Sequence, residues 1–222
     1  MNNKKEFIKY STKEKKINRI HLDSYINNLT RSVIEERSTN FREIDVFSRL
    51  IMDRIIFIGT EINDNVSNII IAQLLFLESV NPKKDITIYI NSPGGSVYSG
   101  LGIYDTMQYV SPSISTVCVG LSASIAAVLL AGGEKKKRYA LPHSRIMIHQ
   151  PWGGAKGKSS DMEITMRQMM EVKKDLYKIL SNHTEKKYSE IEKDANSDYW
   201  MRSHEAKKYG IIDNILTKNK NE

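Results

Sequence analysis

An α/β fold, in which helices cover a largely parallel sheet, is what this chain predicts, and three observations carry it. Short β-branched runs alternate with longer apolar runs of helical length. Glycine, proline and asparagine breaks punctuate them. Three of the strand-like runs end in serine, glycine or histidine chemistry. Strand-helix alternation argues for parallel strands joined by crossover helices, with sites at the strand C-terminal ends.

Residues 1 to about 40 are polar, charged and weakly periodic, and read as a mobile or partner-dependent arm. The globular body begins near Phe41, and residues 44–50 suit a short helix. The run 54–58 is a short buried strand closed by Gly59. Residues 66–80 are apolar almost all round, which predicts a buried helix, and Asn81-Pro82 stops it. A clear strand follows at 86–90, then a tight turn at Pro93-Gly94-Gly95 and a helix over 97–109. The strand 114–119 leads through Gly120-Leu121-Ser122-Ala123-Ser124 into a buried helix over 125–131 that ends at Gly132-Gly133. A strand at 145–148 and a long amphipathic helix from about 161 to 184 complete the pattern, and no repeat of fixed period is evident.

With 222 residues the chain is long enough for one α/β domain, and no second domain is required. The single cysteine, Cys118, lies in an apolar run without Cys or His at ligand spacing, so it reads as core packing in a reducing compartment. The N-terminus lacks an apolar signal region, and no run approaches the roughly 20 apolar residues that span a bilayer. A soluble, cytoplasmic protein without membrane association is expected. The net charge is +7, but the lysines are dispersed. The densest basic run, Glu134-Lys135-Lys136-Lys137-Arg138, reads as a solvated turn, and with no binding motif beside it no nucleic-acid partner is expected.

Ser124 stands between a strand and a helix, where unpaired N–H groups and the positive end of the helix dipole can steady an oxyanion, although a serine that merely caps the helix has the same appearance. Acyl transfer also needs a base, an orienting acid and an oxyanion hole. His149 follows an apolar strand, as a rigidly placed base should, although a buried histidine bonded to a carbonyl has the same appearance. Gly94 and Gly95 have no Cβ to shield their N–H groups, which suits an oxyanion hole or a plain turn. Asp194 and Asp198 both lie in one candidate acid segment, and spacing does not choose between them.

From about Val33 to Leu216 the chain resembles the proteolytic-subunit family of the ATP-dependent Clp protease. The shared segments include Tyr89-Ile90-Asn91-Ser92-Pro93-Gly94-Gly95, Leu141-Pro142-His143-Ser144-Arg145, Met147-Ile148-His149-Gln150-Pro151 and Glu205-Ala206-Lys207-Lys208-Tyr209-Gly210. The resemblance implies a ClpP/crotonase-like fold, a spiral of strand-strand-helix turns with a helical handle at about 150–184. It implies a domain over 32–222 with an axial loop at about 32–41, and an N-terminal extension of propeptide type over 1–31. It makes Ser124 the nucleophile, His149 the base and Asp198 the acid, with the N–H groups of Gly95 and Ile125 as oxyanion donors. No cofactor or metal is expected, ATP being used by the partner. The expected partners are the chain itself, in two stacked heptameric rings, a hexameric AAA+ unfoldase and unfolded polypeptide. The implied ATPase-docking pocket comprises Thr87, Tyr89, Val117, Tyr139, Leu141 and Leu216, and the implied ring-ring handle includes Gly154, Gly157 and Lys158.

Several residues depart from the family pattern. Thr87 stands where an aromatic is frequent, which would weaken docking by about 1 kcal/mol. The glycine usual in the axial loop is missing, and Ser122 replaces an alanine. Ile125-Ala126 replaces methionine and glycine, so the Ile125 backbone is expected to donate while its side chain reshapes the specificity wall. Lys156 and Lys158 stand where glutamine is favoured, and Ser197 stands where an arginine commonly precedes the acid, which together predict rings that separate readily. Two other classes compete. A crotonase-like acyl-CoA enzyme shares the fold but typically lacks the three partners, and a non-catalytic ring subunit usually loses one of them, whereas Ser124, His149 and Asp198 are all present.

Overall fold

The computed structural model describes residues 32–37 and 40–218. The chain divides into two units, Met1–Arg49 and Leu50–Glu222. In the first, β1 (Ser32–Arg37) and β2 (Asn40–Asp45) form an antiparallel pair running from Ser32 opposite Asp45 to Arg37 opposite Asn40. The stretch expected to be a mobile arm and axial loop therefore contains a strand pair. Backbone ladder bonds make it without the strict apolar alternation that would have marked it in sequence. The expected extension over 1–31 lies outside the described residues. Helix α1 (Val46–Met52) starts two residues later than expected, because Ile44 is still in β2 and the Asp45 carboxylate accepts the Ser48 N–H at 3.0 Å.

The second unit is built on a seven-stranded sheet. Five parallel strands run in the order β3 (Ile55–Ile58), β4 (Ile86–Ser92), β5 (Ile114–Ala123), β6 (Arg138–Ala140) and β9 (Asn214–Ile215). Strand β5 changes partners along its length. Thr116 to Cys118 pair with β6, while Leu121 to Ala123 pair with β7 (Arg145–Ile148), which in turn pairs antiparallel with β8 (Tyr199–Arg202). The change of partner occurs around Gly120, whose φ of 97° is open to glycine and costly for other residues. A Cβ there would lie 2.8 Å from Asn91 Oδ1, the atom that accepts the Leu121 N–H.

Helices α2 (Asp64–Val80), α3 (Val97–Tyr109) and α4 (Ile125–Ala131) follow the strands, and every residue of α4 is buried. Asn63 caps α2 by accepting the Val66 N–H, and Ser96 caps α3 by accepting that of Ser99. Helix α2 is not buried all round as its composition predicted. Ser67, Ile70, Leu74 and Leu77 are buried, whereas Ile69, Phe76 and Val80 are more than half exposed. One face packs on the core, and an apolar face is left open in the single chain.

The long helix α5 (Ser159–Thr184) is exposed along its first three turns apart from Met169, and buried farther on through Val172, Leu176, Tyr177 and Leu180. Its C-terminal end is tied down by Arg138, whose Nη1 donates to the His183 carbonyl at 2.8 Å, and by the Tyr104 hydroxyl, 2.8 Å from His183 Nε2. The basic run is therefore not a plain solvated turn. Arg138 is buried and forks onto Asp213, with Nη2 to Oδ1 at 2.7 Å and Nε to Oδ2 at 2.9 Å. Lys135 pairs with Glu185 and Lys137 with Asp85. Strand β6 and two short helices, α6 (Tyr188–Asp194) and α7 (Ser203–Tyr209), were not foreseen: β6 is too short for a periodic pattern, and the two helices are mostly polar, unlike the wholly apolar α4 of the same length. No helix among the described residues is long and apolar enough to cross a membrane.

Candidate active site

The register of the sheet places the candidate residues. Parallel pairing sets Ser92 of β4 opposite Ser122 of β5, and Ala123 opposite Met147 of β7. Ser124 is the next residue after β5, and its N–H donates to the Met147 carbonyl at 2.9 Å. Its φ of 57° and ψ of −129° form a sharp turn that L side chains rarely adopt, which tilts the side chain out at the head of α4. Antiparallel pairing of β7 with β8 sets Ile148 opposite Tyr199, so His149 and Asp198, one step beyond that pair on each strand, meet side by side.

His149 Nε2 lies 3.0 Å from Ser124 Oγ, and His149 Nδ1 lies 2.9 Å from Asp198 Oδ1. A carboxylate at Nδ1 holds the proton on that nitrogen, leaving Nε2 to accept from the serine hydroxyl. Both ring nitrogens are thus committed, which excludes the reading of His149 as a core histidine bonded to a carbonyl. The His149 side chain is 18% exposed and that of Asp198 is 59% exposed, so backbone placement rather than packing must hold the carboxylate. Asp194, the alternative acid, is occupied elsewhere: its Oδ2 accepts the Tyr209 hydroxyl at 2.9 Å. Burial, and then Asp194, push that hydroxyl well above the ordinary tyrosine range.

The glycine pair borders Ser124. Gly94 donates to Ser92 Oγ at 3.1 Å and accepts the Ile62 N–H at 2.7 Å, while Ser96 donates to the Ile62 carbonyl at 2.8 Å. These bonds flank Gly95 and fix its peptide. A Cβ on Gly94 would lie 2.7 Å from Ser124 Cβ, so only glycine permits the approach. Neither the Gly95 nor the Ile125 N–H makes a hydrogen bond to protein among the described residues. The Ile125 side chain is buried against Gly100 and, with Val128, Leu176 and Leu180, lines a small apolar pocket that Ser124 and His149 also border. Ser122, also buried, donates to the Ala126 carbonyl at 2.9 Å and so ties the end of β5 to the first turn of α4.

The cleft over Ser124 and His149 has a volume of about 460 Å³ and is also lined by Glu61, Val97, Pro151 and Trp152. Glu61, Val97 and Trp152 carry no sequence signal, because only the sheet brings their segments to one place. Cys118 stays out of the chemistry. Burial pushes its thiol up to about 11, against a smaller opposing bond with Ser144.

Tyr89, Val117 and Tyr139 stand in one register row across β4, β5 and β6. Phe57 of β3 extends the row, and sequence reading missed it. Thr87 is two residues back on β4, while Leu141 and Leu216, each partly exposed, follow β6 and β9. Gly154, Gly157 and Lys158 lie exposed in the segment leading to α5, with open space around Gly154 and Lys158 at the N-cap.

A family model described as Clp protease matches residues 36–219. The chain belongs to the Clp protease family. Curated relatives named ATP-dependent Clp protease proteolytic subunit include one from Porphyromonas gingivalis, 54% identical over 219 residues that cover 97% of this chain and 99% of the relative. Others from Bacteroides fragilis and Bacteroides thetaiotaomicron are each 54% identical over 217 residues, covering 96% of this chain and 99% of each relative. The Clp protease resemblance first seen in short segments thus extends along nearly the whole chain. The mixed α/β fold with a mostly parallel sheet agrees with it.

Proposed function

We propose that this chain is the proteolytic subunit of an ATP-dependent Clp protease, a serine endopeptidase that cuts unfolded polypeptide into short peptides. The observation that carries the reading is the pair of distances through His149, 3.0 Å to Ser124 and 2.9 Å to Asp198, in a chain of this family. Ser124 Oγ attacks the scissile carbonyl while His149 Nε2 takes its proton, and Asp198 orients and stabilises the imidazolium. The N–H groups of Gly95 and Ile125 hold the oxyanion of the tetrahedral intermediate. Its collapse breaks the C–N bond, and His149 returns the proton to the leaving amine. Water then enters by the same base and releases Ser124. This chemistry calls on no metal or cofactor, and ATP belongs to the partner.

The chain assembles with itself, and the open apolar face of α2 supports that reading. The proposed assembly is two stacked heptameric rings joined through the handle, fed by a hexameric AAA+ unfoldase docked on the row that contains Tyr89 and Val117. Residues 1–31 are proposed as an extension separate from the 32–222 domain.

Fluorophosphonate labelling of the assembled protein, read by intact mass, tests the active site. One adduct per chain that is lost in Ser124→Ala and in His149→Ala is expected. Absence of any adduct in a confirmed double ring would assign the chain to the non-catalytic ring subunits instead.

A further inference from the structure

Asp198 sits at the end of a short connection between α6 and β8, and its exposed carboxylate has little packing to hold it. On one side the β7–β8 ladder anchors it through Tyr199. On the other side the buried Ala195 starts the connection, and Gln150 holds both it and Asn196. The Gln150 backbone N–H donates to the Ala195 carbonyl at 2.6 Å, and its side-chain Nε2 donates to the Asn196 carbonyl at 2.9 Å. Gln150 Oε1 accepts from Lys173 Nζ at 3.0 Å. Lys173 lies on α5, partly buried, with its ammonium 5.5 Å from the centre of the Tyr177 ring. The Tyr177 hydroxyl reaches the Ala195 carbonyl at 3.4 Å.

Gln150 thus spans three elements. It is the chain neighbour of His149, it holds the backbone two residues before Asp198, and it is itself oriented from the long helix. Its amide is well used, with one donor on Asn196 and the acceptor on Lys173, so the side chain cannot turn without losing both bonds. From this geometry we infer that Gln150 is a positioning residue that sets the His149–Asp198 distance, and that Lys173 acts through it. This inference rests on the proposed role of Asp198 as the orienting acid. A misplacement of about 1 Å in a catalytic group costs on the order of 100-fold in rate. Freeing the Asp198 connection should therefore lower kcat without removing any group that binds substrate.

The experiment uses the assembled full chain with a short fluorogenic peptide and with fluorophosphonate labelling of Ser124. Gln150→Leu keeps the side-chain bulk and removes both polar ends. It is expected to lower kcat and the labelling rate roughly 10- to 100-fold with KM unchanged. Lys173→Met should slow both rates several-fold and Lys173→Arg should stay near the parent. The Gln150→Leu/Lys173→Met double variant should be no slower than Gln150→Leu alone, because Lys173 works through Gln150. Additive losses, a change confined to KM, or parent kcat in Gln150→Leu would overturn the inference. If Gln150→Leu does not fold, the Lys173 pair decides: slow Met with parent-like Arg supports the link, and parent kcat in Met refutes it. A parent protein that does not label refutes the proposed function and this inference together. A parent that labels, with variants that match it, refutes this inference alone.

Discussion

Replacing Gly95 by alanine would put a methyl where the Ile62 backbone already stands. The added Cβ would lie 2.2 Å from the Ile62 carbonyl oxygen, 2.8 Å from its nitrogen and 2.9 Å from its carbonyl carbon. These are backbone atoms, so no side-chain rotation relieves the clash, and the φ of 144° at Gly95 is itself unfavourable for alanine. The Ser96 to Ile62 and Ile62 to Gly94 bonds must lengthen, and the Gly95 N–H shifts with its peptide. Loss of one oxyanion donor typically costs about 100- to 1,000-fold in kcat, or about 2.7–4 kcal/mol of transition-state stabilisation. The Ser124 to His149 bond does not depend on Gly95, so the two side chains stay in place while the proposed acylation slows. The assay is peptide hydrolysis by Gly95→Ala beside the parent, with circular dichroism and sedimentation to establish that the particle is intact. An intact Gly95→Ala particle within about three-fold of the parent kcat would refute Gly95 as an oxyanion donor, since the clash leaves its N–H no route to the same position.

Arg138→Met should destabilise the chain by about 3–5 kcal/mol in urea unfolding, because it strands the Asp213 carboxylate and two carbonyls in a largely buried place, and adding Asp213→Leu should restore much of the loss. Burial alone would raise the Asp213 carboxyl, but its bonds to Arg138 and the guanidinium charge outweigh that and hold it below the ordinary range. A carboxyl lowered in the folded state adds stability that is complete above its unfolded value and lost as pH falls through the folded one. Acid titration should therefore destabilise the parent more steeply than Arg138→Met below about pH 4. Gly100→Ala would set a Cβ 2.1 Å from Ile125 Cγ1, so a loss of about 1–3 kcal/mol is expected, relieved in a Gly100→Ala/Ile125→Ala double variant on thermal unfolding. Ser122→Ala removes the buried bond to Ala126 and should cost about 1 kcal/mol, with parent stability counting against a role for that hydroxyl. The exposed Lys156 and Lys158 would face their own copies across a two-fold ring contact, so sedimentation should show single rings at low salt and double rings at high salt. A double ring indifferent to salt at low protein concentration would refute that.

Where the apolar pattern was long, sequence and structure agree. The runs at 86–90 and 114–119 are strands, and those at 97–109 and 125–131 are helices, because their cores are continuous enough for period to speak. Strand β6 is three residues long and β9 is two, below any period, and they form only because a parallel neighbour supplies half of each ladder. The basic run before β6 misled for a related reason. Charge predicts solvent exposure unless a distant partner exists, and Asp213 lies 75 positions along the chain from Arg138. The open apolar face of α2 misled in the opposite direction, because composition records that a face needs covering without recording what covers it.

The sequence by itself determined the fold class and the residue types at the strand ends, including a serine at a strand-to-helix turn, a histidine after a strand and a glycine pair. Local propensity and short-range sterics suffice for those. Spacing left Asp194 and Asp198 open and the family resemblance pointed to Asp198; the tertiary structure brings Asp198 to His149 through the β7–β8 register and gives Asp194 to the Tyr209 hydroxyl. Only it turned Gln150 into a brace between strand and helix, buried Ile125 under Ser124 and brought Glu61 and Trp152 to the cleft. Each of these is a contact between segments far apart in the chain, settled by strand register and packing, which no local pattern of residues encodes.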